Sequence, residues 1–342
     1  MTEHQFLLEL EAVLHQLPAE ERQDISQDIR EYFLNGRRDG KQDEEIAAEL
    51  GAPAAIAQEL LASFDFSQVE AKPKAVNLSK DEFDKVDIQI DNGTLDIGLS
   101  QDGKMHVDVE DKGYNQQLFV DVLDRTLVIT LKEEAKKWGI FSFAINTKSP
   151  RVRIQLPSKI YDSLKIVTDN GRIDGADLES SVLTAKSDNG GICFEDLKTA
   201  ELRIRSDNGA LKLKSSRTEK AEMKSDNGKI ELENIEAAQI RLQSDNGSIL
   251  MDRVEGRISA ESDNGRIRLF TSNLERDITL KTDNGSITVE TAEEPTNASI
   301  HAHKDYGKAK IFGVKSNHTV YGSGQHSIIL KTDNGSIEVK KS

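Results

Sequence analysis

The stretch that decides the fold is SDNGKIELENIEAAQIRLQ, residues 225–243, followed at once by SDNGSILMDRVEGRISAE, residues 244–261. Both begin with Ser-Asp-Asn-Gly, and in both an aliphatic residue follows the glycine after one intervening position: Ile230 and Ile249. Apolar and polar residues then alternate, which is the pattern of a half-buried strand. Each unit is therefore interpreted as two short strands joined at Asp-Asn-Gly.

The Asp-Asn-Gly triplet recurs along most of the chain. It occurs nine times, first at Asp91, and a variant, Asp305-Tyr306-Gly307, precedes the last copy. Copies from Asp169 to Asp283 follow one another at a near-constant spacing, and such regularity predicts stacked supersecondary units. The predicted structural turns are Asp169, Asn170, Gly171, Asp188, Asn189, Gly190, Asp207, Asn208, Gly209, Asp226, Asn227, Gly228, Asp245, Asn246, Gly247, Asp263, Asn264, Gly265, Asp283, Asn284, Gly285, Asp333, Asn334 and Gly335.

Two architectures fit this repeat. Asn-Gly between alternating strands is a strong hairpin signal, which favours antiparallel meanders or propeller blades. Alternatively, the triplets are equivalent corners stacked in a parallel β-solenoid. The near-constant unit length favours the solenoid, because stacked rungs need equal lengths. It predicts parallel pairing of neighbouring units, with Ile230, Ile249, Ile267 and Ile287 stacked in one inward column.

The triplets are predicted to shape turns rather than to bind a ligand. We expect each Asp side chain to close an Asx-turn and each Asn or Gly to take left-handed φ. Calcium is the alternative, since repeated oxygen-rich corners hold that ion in some β-rolls. Basic residues often stand two positions before the aspartate and can offset the stacked negative charge: Lys186, Arg205, Lys224, Lys281 and Lys331.

Residues 1–64 have a helical pattern instead, with apolar residues at three- and four-residue spacing. Gly36 is expected near the end of the second helix, and Asp43 is expected to cap the third. The segment carries 14 acidic and 5 basic side chains, a net charge of −9, against −6 for the rest of the chain. Such a domain presents either a solvated surface or a docking surface for a basic partner.

This helical segment resembles the HAAS domain, a small helical module of bacterial signalling proteins. The resemblance rests on FLLELEAVLHQLPAEERQDISQDIREYF, GKQDEEI and ELGAPAAIAQEL, which lie within residues 3–62. It implies a regulatory or membrane-associated protein partner. The polar residues 65–80 depart from the membrane-bound pattern and are interpreted as a linker. We therefore predict domains at 1–64 and 81–342.

The repeat region resembles a bacterial "putative adhesin" β-strand-repeat family over about residues 83–340. The resemblance rests on VDIQIDNGTLDIGL, on RVRIQLP at 151–157, and on the recurring SDNG units. It implies a right-handed β-helix or roll without established catalytic residues. The predicted fold is thus mainly β, a right-handed parallel β-solenoid of about 19-residue repeats with a small all-α N-terminal domain.

Composition limits the function classes. The chain of 342 residues has a net charge of −15, which disfavours nucleic acid as a partner because that binding needs a basic face. A single cysteine, Cys193, excludes an internal disulfide framework. No uninterrupted apolar stretch of membrane-spanning length and no basic leader occur, so we expect a cytoplasmic protein without direct membrane insertion. The alternative location is the cell envelope or surface.

Motifs for catalysis or cofactors are weak. His301 and His303 form His-x-His on one face of a predicted strand, but no cysteine or third histidine lies at usable spacing, so a solvated pair is favoured over a metal site. Cys193 is interpreted as a spectator thiol. No nucleophile elbow, P-loop or GxGxxG follows a strand. We expect no enzyme activity, no cofactor and no metal.

The insertion at residues 133–150 concentrates aromatic side chains in a chain that is poor in them: Trp138, Phe141 and Phe143. It is interpreted either as a lid over an open end of the core or as a partner-binding patch. The sequence as a whole predicts a non-enzymatic binding or scaffold protein in bacterial envelope-associated sensing or regulation, acting through a protein partner. The alternative is a surface adhesin or glycan-binding protein.

Overall fold

The chain folds into a helical part and a strand-rich part, which form two compact units. The computed structural model describes residues 1–17, 19–63, 78, 81–112, 116–133 and 149–342. The predicted linker, residues 65–80, lies outside these described residues except for Leu78. The domain boundaries therefore stay predictions.

The described residues of the helical unit form four helices, α1 Glu3–Val13, α2 Ala19–Arg38, α3 Asp43–Leu50 and α4 Pro53–Ser63, with a short 3-10 turn at Leu14–Gln16. The first helix begins with a capping box, in which the Thr2 hydroxyl accepts from the Gln5 backbone N–H and the Gln5 side chain accepts from the Thr2 N–H. The apolar faces meet in one core, where the rings of Phe6 and Phe33 pack edge to face with centroids 5.7 Å apart. No described helix is long and apolar enough to span a membrane.

One expectation for the helical unit is wrong, since Asp43 does not cap α3. Gly36 lies near the end of α2 as expected, but the helix continues to Arg38, and a Cβ at Gly36 would lie 2.7 Å from the Ile46 side chain. This glycine therefore permits close packing of α3 rather than ending α2. The cap of α3 is Gln42, since Asp43 instead takes the first helical position. Gly51 ends α3 and Pro53 begins α4.

The strand-rich unit forms one large sheet from the described strands. These are β1 Lys85–Asn92, β2 Thr94–Leu99, β3 His106–Glu110, β4 Gln116–Leu123, β5 Thr126–Glu133, β6 Arg151–Leu156, β7 Ile160–Asn170, β8 Ile173–Ala176, β9 Glu179–Ser187, β10 Ile192–Glu195, β11 Lys198–Ser206, β12 Leu211–Ser225, β13 Ile230–Ser244, β14 Ile249–Ser262, β15 Ile267–Thr271, β16 Ile278–Thr282, β17 Ile287–Thr291, β18 Ala298–Tyr306, β19 Ala309–Ile311, β20 His318–Val320, β21 His326–Asn334 and β22 Ile337–Lys341.

Equivalent strands of successive repeats pair in parallel. Strands β12 and β13 flank the triplet at Asp226, and their register places Leu211 beside Ile230. The same column continues through Ile249, Ile267 and Ile287, each at most 1% exposed. The predicted inward column is confirmed and the hairpin alternative is wrong, because a hairpin would pair these strands in antiparallel. The fold is thus mainly β, a long sheet with parallel strands.

The order of strands departs from chain order at the C-terminal end. We call one triplet together with the strand segments that flank it a rung. Strand β21 pairs with β16 on one side and with β18 on the other, and β22 likewise lies between β17 and β19. The last rung in sequence is therefore inserted next to the rung of Asp283, and the variant rung lies beyond it. Strand β20 then pairs in antiparallel with β18.

The core of the sheet is a set of aliphatic columns. Positions three and five residues before each aspartate are buried, as are the second and fourth residues after each triplet glycine. Examples are Ile240, Leu242, Ile249 and Met251. Because the inward positions alternate with polar ones, the sheet presents charged columns on its outer surface and places the triplets at one corner.

Candidate functional site: the Asp-Asn-Gly corner

At seven of the nine triplets, the serine or threonine before the aspartate ties its rung to a neighbouring rung. The Ser225 side chain is fully buried, and its hydroxyl donates to the Gly209 carbonyl at 3.1 Å while it accepts from the Gly228 N–H at 2.8 Å. The donated bond recurs at Ser187, Ser206, Ser244, Ser262, Thr282 and Thr332. The hydroxyl therefore closes its own turn and pairs a carbonyl that the sheet would otherwise bury unsatisfied.

The asparagines of the triplets form a continuous ladder of side-chain amides. The Nδ2 of Asn227 donates to the Oδ1 of Asn208 at 2.8 Å, and Asn208 donates to Asn189 at 2.9 Å. All nine asparagines are joined in this way, over distances of 2.7 to 3.0 Å: Asn92, Asn170, Asn189, Asn208, Asn227, Asn246, Asn264, Asn284 and Asn334. Such ladders form when identical amides stack at the strand spacing.

The expectation of left-handed φ at the triplets is wrong. Among the nine triplet glycines only Gly93 has a positive φ, 130°, and none of the triplet asparagines has one. Glycine is needed at these positions because the neighbouring backbone leaves no space for a Cβ. A Cβ at Gly228 would lie 1.8 Å from the Gly209 carbonyl oxygen, and one at Gly247 would lie 1.9 Å from that of Gly228. The glycines therefore let successive backbones approach each other more closely than any side chain allows.

The Asx-turn prediction is also wrong. The glycine N–H bonds the serine hydroxyl, as at Ser225, so the aspartate carboxylate is not needed to close the turn. Instead the carboxylates face the predicted cations: the Nζ of Lys186 lies 2.7 Å from Asp188 and that of Lys331 lies 3.6 Å from Asp333. The hydrogen bond to Asp188 raises the pKa of Lys186. Ion pairs at Asp188, Asp207, Asp226 and Asp333 therefore balance part of the negative charge that is stacked at this corner.

A second corner lies across each rung and was not predicted. It holds one residue per rung with left-handed φ between 46° and 59°: Asp177, Asp196, Ser215, Asn234 and Arg253. Three of these five residues are Asp or Asn, which tolerate this conformation better than other non-glycine residues. They recur once per repeat at equivalent positions, a signal in the sequence that could have located the corner. We call it the left-handed corner, and the other the triplet corner.

A shallow basic groove runs beside the triplet corner, also missed at the level of sequence. It is lined by Lys229, Asn246, Leu250, Arg266 and Arg268. Lys229 bonds Glu231 and lowers the pKa of that carboxyl, whereas Arg266 and Arg268 are exposed. The groove is thus a small cationic surface on a chain with net negative charge.

The remaining predicted sites have different outcomes. Trp138, Phe141 and Phe143 lie outside the described residues. Cys193 on β10 is half-buried, and burial raises the pKa of its thiol, which makes the reactive thiolate less available. His301 and His303 are both exposed on β18, on one face as predicted. Within the described ranges no group of three or more His, Cys, Asp or Glu side chains could hold a metal ion.

Two family models match this chain. The Toastrack DUF4097 model matches residues 83–340, and the HAAS model matches residues 5–59. Both resemblances inferred from the sequence, HAAS at the N-terminus and an adhesin-type repeat family in the rest, are confirmed. A search of curated proteins finds no matching relative.

Three solved bacterial structures are similar to this chain. A "putative adhesin" from Bacteroides fragilis is 17% identical, with 78% of this chain and 95% of that chain covered and a TM-score of 0.39. A "putative lipid binding protein" from Parabacteroides distasonis is 12% identical, with 80% and 98% covered and a TM-score of 0.43. A "putative cell adhesion protein" from Clostridium sporogenes is 17% identical, with 79% and 100% covered and a TM-score of 0.21.

Proposed function

This chain belongs to the Toastrack DUF4097 family, and from that premise we propose that it is a non-enzymatic binding or scaffold protein. Its sheet serves as a rigid platform, and its HAAS unit docks a basic protein partner in bacterial envelope-associated sensing or regulation. The observation that carries the proposal is the charge of the helical unit, a net −9 over residues 1–64. Charge of one sign on a small surface steers a partner of opposite charge and fixes its orientation.

The exposed side chains of the helical unit support a docking role. Glu9, Glu31 and Glu59 lie on three different helices, and all three are exposed. Large apolar side chains on two of the helices are exposed among these charges, Leu8 at 55% and Leu34 at 46%. Protein interfaces combine apolar anchors with a polar, charged rim, and this composition fits such a surface.

Charge reversal tests the docking surface. We expect the full chain to capture its partner from native cells and the triple variant Glu9→Lys, Glu31→Lys, Glu59→Lys to lose most of that capture, with binding that weakens as salt rises. The matched control reverses exposed glutamates on the strands: Glu219→Lys, Glu222→Lys, Glu261→Lys. Equal loss in both variants would refute a specific role for the helical unit.

Truncation tests which unit binds. The buried apolar residues form two separate clusters, one for the helices and one for the sheet, so residues 81–342 alone should fold. We expect this fragment to stay β-rich and to lose the partner. Retention of the partner would move binding to the sheet unit or to the segment of Trp138, Phe141 and Phe143. Cell fractionation separates the cytoplasmic location from a surface adhesin, which would appear in the envelope fraction.

The platform itself is proposed to be a right-handed parallel β-solenoid with repeats of about 19 residues. Parallel partners such as Leu211 and Ile230, which occupy equivalent positions in successive repeats, support the repeat length. The handedness follows from a general rule: connections between parallel strands of one sheet are right-handed in roughly 98% of cases. An experimental structure with left-handed connections would contradict this.

A further inference from the structure

The variant rung brings together two histidines that are far apart in sequence. Strand β20 runs antiparallel to β18 and places His318 directly opposite His301. Their imidazole rings stack with centroids 4.1 Å apart and planes inclined by 18°. Both side chains are exposed, so the pair does not serve to fill the core.

The Nε2 atoms of both rings lie within hydrogen-bond distance of one oxygen, the Ser299 hydroxyl. The Oγ of Ser299 lies 3.0 Å from the Nε2 of His301 and 3.2 Å from the Nε2 of His318. A hydroxyl has one proton to donate, so it can donate to one ring only, and the other ring must donate to it. Two ring nitrogens thus converge on a single oxygen at the surface.

We propose that His301 and His318 form a zinc-binding site through their Nε2 atoms, with Ser299 and water at the remaining positions. Imidazole nitrogen is a preferred ligand of Zn²⁺, at about 2.0–2.1 Å. A cation near the present position of the Ser299 hydroxyl needs each ring to approach by about 1 Å and the hydroxyl to withdraw to a ligand distance of about 2 Å. Exposed side chains on neighbouring strands can make these shifts by small rotations.

The neighbours of the pair explain why the site has two histidines and not three. His303 lies on the same face of β18 but opposite Lys331 of β21, and its Nε2 is 3.7 Å from Asp305. On the other side of His301 the partner in β21 is Ile329, which is not a ligand. With two protein ligands and open positions, the site holds an exchangeable cation rather than a closed structural zinc.

Such a cation would fasten the end of the sheet. Strand β20 has only three residues, and it covers the outer edge of β18. The pairing includes the N–H of Ala302, which donates to the Asn317 carbonyl at 2.8 Å. A zinc ion held by one histidine from each strand would keep β20 on that edge, which otherwise offers unpaired backbone groups for aggregation.

Calorimetric titration of the full chain with ZnCl₂ tests the site. We expect His301→Gln and His318→Gln each to weaken Zn²⁺ binding at least tenfold, because glutamine keeps a hydrogen bond to Ser299 but cannot replace the imidazole ligand. The matched controls are His303→Gln, on the same face of the same strand, and His326→Gln on β21, which should stay within twofold of the unmodified chain.

Hydrogen exchange gives the second readout. Zinc should slow exchange of the Ala302 amide in the unmodified chain and leave it unchanged in His318→Gln. Absence of zinc binding by the full chain, or equal affinity in the double variant His301→Gln, His318→Gln, would overturn the proposal. Weakening by His303→Gln as large as that by His318→Gln would also overturn it, since the ligands would then be others.

Discussion

The triplet corner and the left-handed corner belong to the same rungs and repeat at the same spacing, but each bends the chain by a different means. At the left-handed corner the backbone itself turns, with φ from 46° to 59° at residues such as Ser215 and Asn234. At the triplet corner the φ angles are ordinary except at Gly93, and side-chain hydrogen bonds hold the shape. A glycine in a turn therefore does not always indicate left-handed φ.

The difference also explains which side chains each corner tolerates. The left-handed corner accepts Asp, Ser, Asn and Arg, because its side chains are exposed and the backbone angle is the common requirement. Among these described residues, only Arg253 has a side chain that bonds the equivalent residue of the neighbouring rung, Asn234. The triplet corner repeats Ser or Thr, Asn and Gly, because the hydroxyl bonds a carbonyl of a neighbouring rung, the amide bonds both neighbouring amides, and the glycine leaves space for the adjacent backbone. Contact between rungs, rather than the bend, requires the repeated sequence.

The largest effect is expected from filling the space between rungs. Gly228→Ala places a methyl group 1.8 Å from the Gly209 carbonyl oxygen, so one of the two backbones must move. We expect a loss of about 3 kcal/mol or more in the local free energy of unfolding, measured by native-state hydrogen exchange. The control is Gly103→Ala, where φ is 70° and nothing lies within 4 Å, at a cost of about 1 kcal/mol. Equal losses of stability in the two variants would mean that the backbone angle, and not the space beside Gly228, determines the need for glycine.

The next effect tests the buried hydroxyl. Ser225→Ala removes the donor to the Gly209 carbonyl and the acceptor of the Gly228 N–H, and it should cost about 2 kcal/mol in the same exchange measurement. Ser225→Thr should cost much less, since Thr282 makes the same donated bond. Ser181→Ala, at an exposed strand position, should change stability by less than about 0.5 kcal/mol. A comparable cost at both serines would contradict the assigned role.

A smaller effect is expected in the exposed amide ladder. Asn208→Ala breaks its bonds to Asn189 and Asn227 and should cost about 1 kcal/mol in chemical denaturation. The converse change, Tyr306→Asn, should add an amide beside Asn334 at the end of the ladder and raise stability slightly. If Asn208→Ala leaves stability unchanged, the ladder is a consequence of the stacked corners and does not stabilise them.

The smallest effect has the opposite sign and lies at the left-handed corner. Ser215→Gly relieves the strain of the positive φ of 46°, but glycine also gives the unfolded chain more conformational freedom. We expect the first effect to be larger, with a net stabilisation of about 0.5 kcal/mol. The control is the adjacent Ser216→Gly, which should destabilise because the Ser216 hydroxyl accepts from the Leu197 N–H and donates to the Lys214 carbonyl. Destabilisation by Ser215→Gly, measured by thermal unfolding, would show that its side chain matters.

Much of the architecture could be predicted because it depends on local pattern. Alternation identified the inward positions, and the constant spacing brought Ile230 beside Ile249 in parallel. The roles within the triplet could not be predicted. The sequence Asn-Gly is the same whether the position needs the positive φ that glycine allows or only the absence of a Cβ. The repeated Ser or Thr was visible in the sequence, but its role depends on a carbonyl of the previous rung.

The sequence by itself determined the two kinds of unit, the period, the inward columns and the acidic helical surface, since each follows from the order of apolar, polar and charged residues. Only the tertiary structure decided the order of the last rungs. Asn334 continues the amide ladder from Asn284. Tyr306 has no side-chain amide, and it lies next to Asn334 at the end of the ladder, so its rung does not separate two asparagines. Only that folding places His318 against His301. Strand partners are chosen by contacts between residues distant in the chain, which no local pattern records.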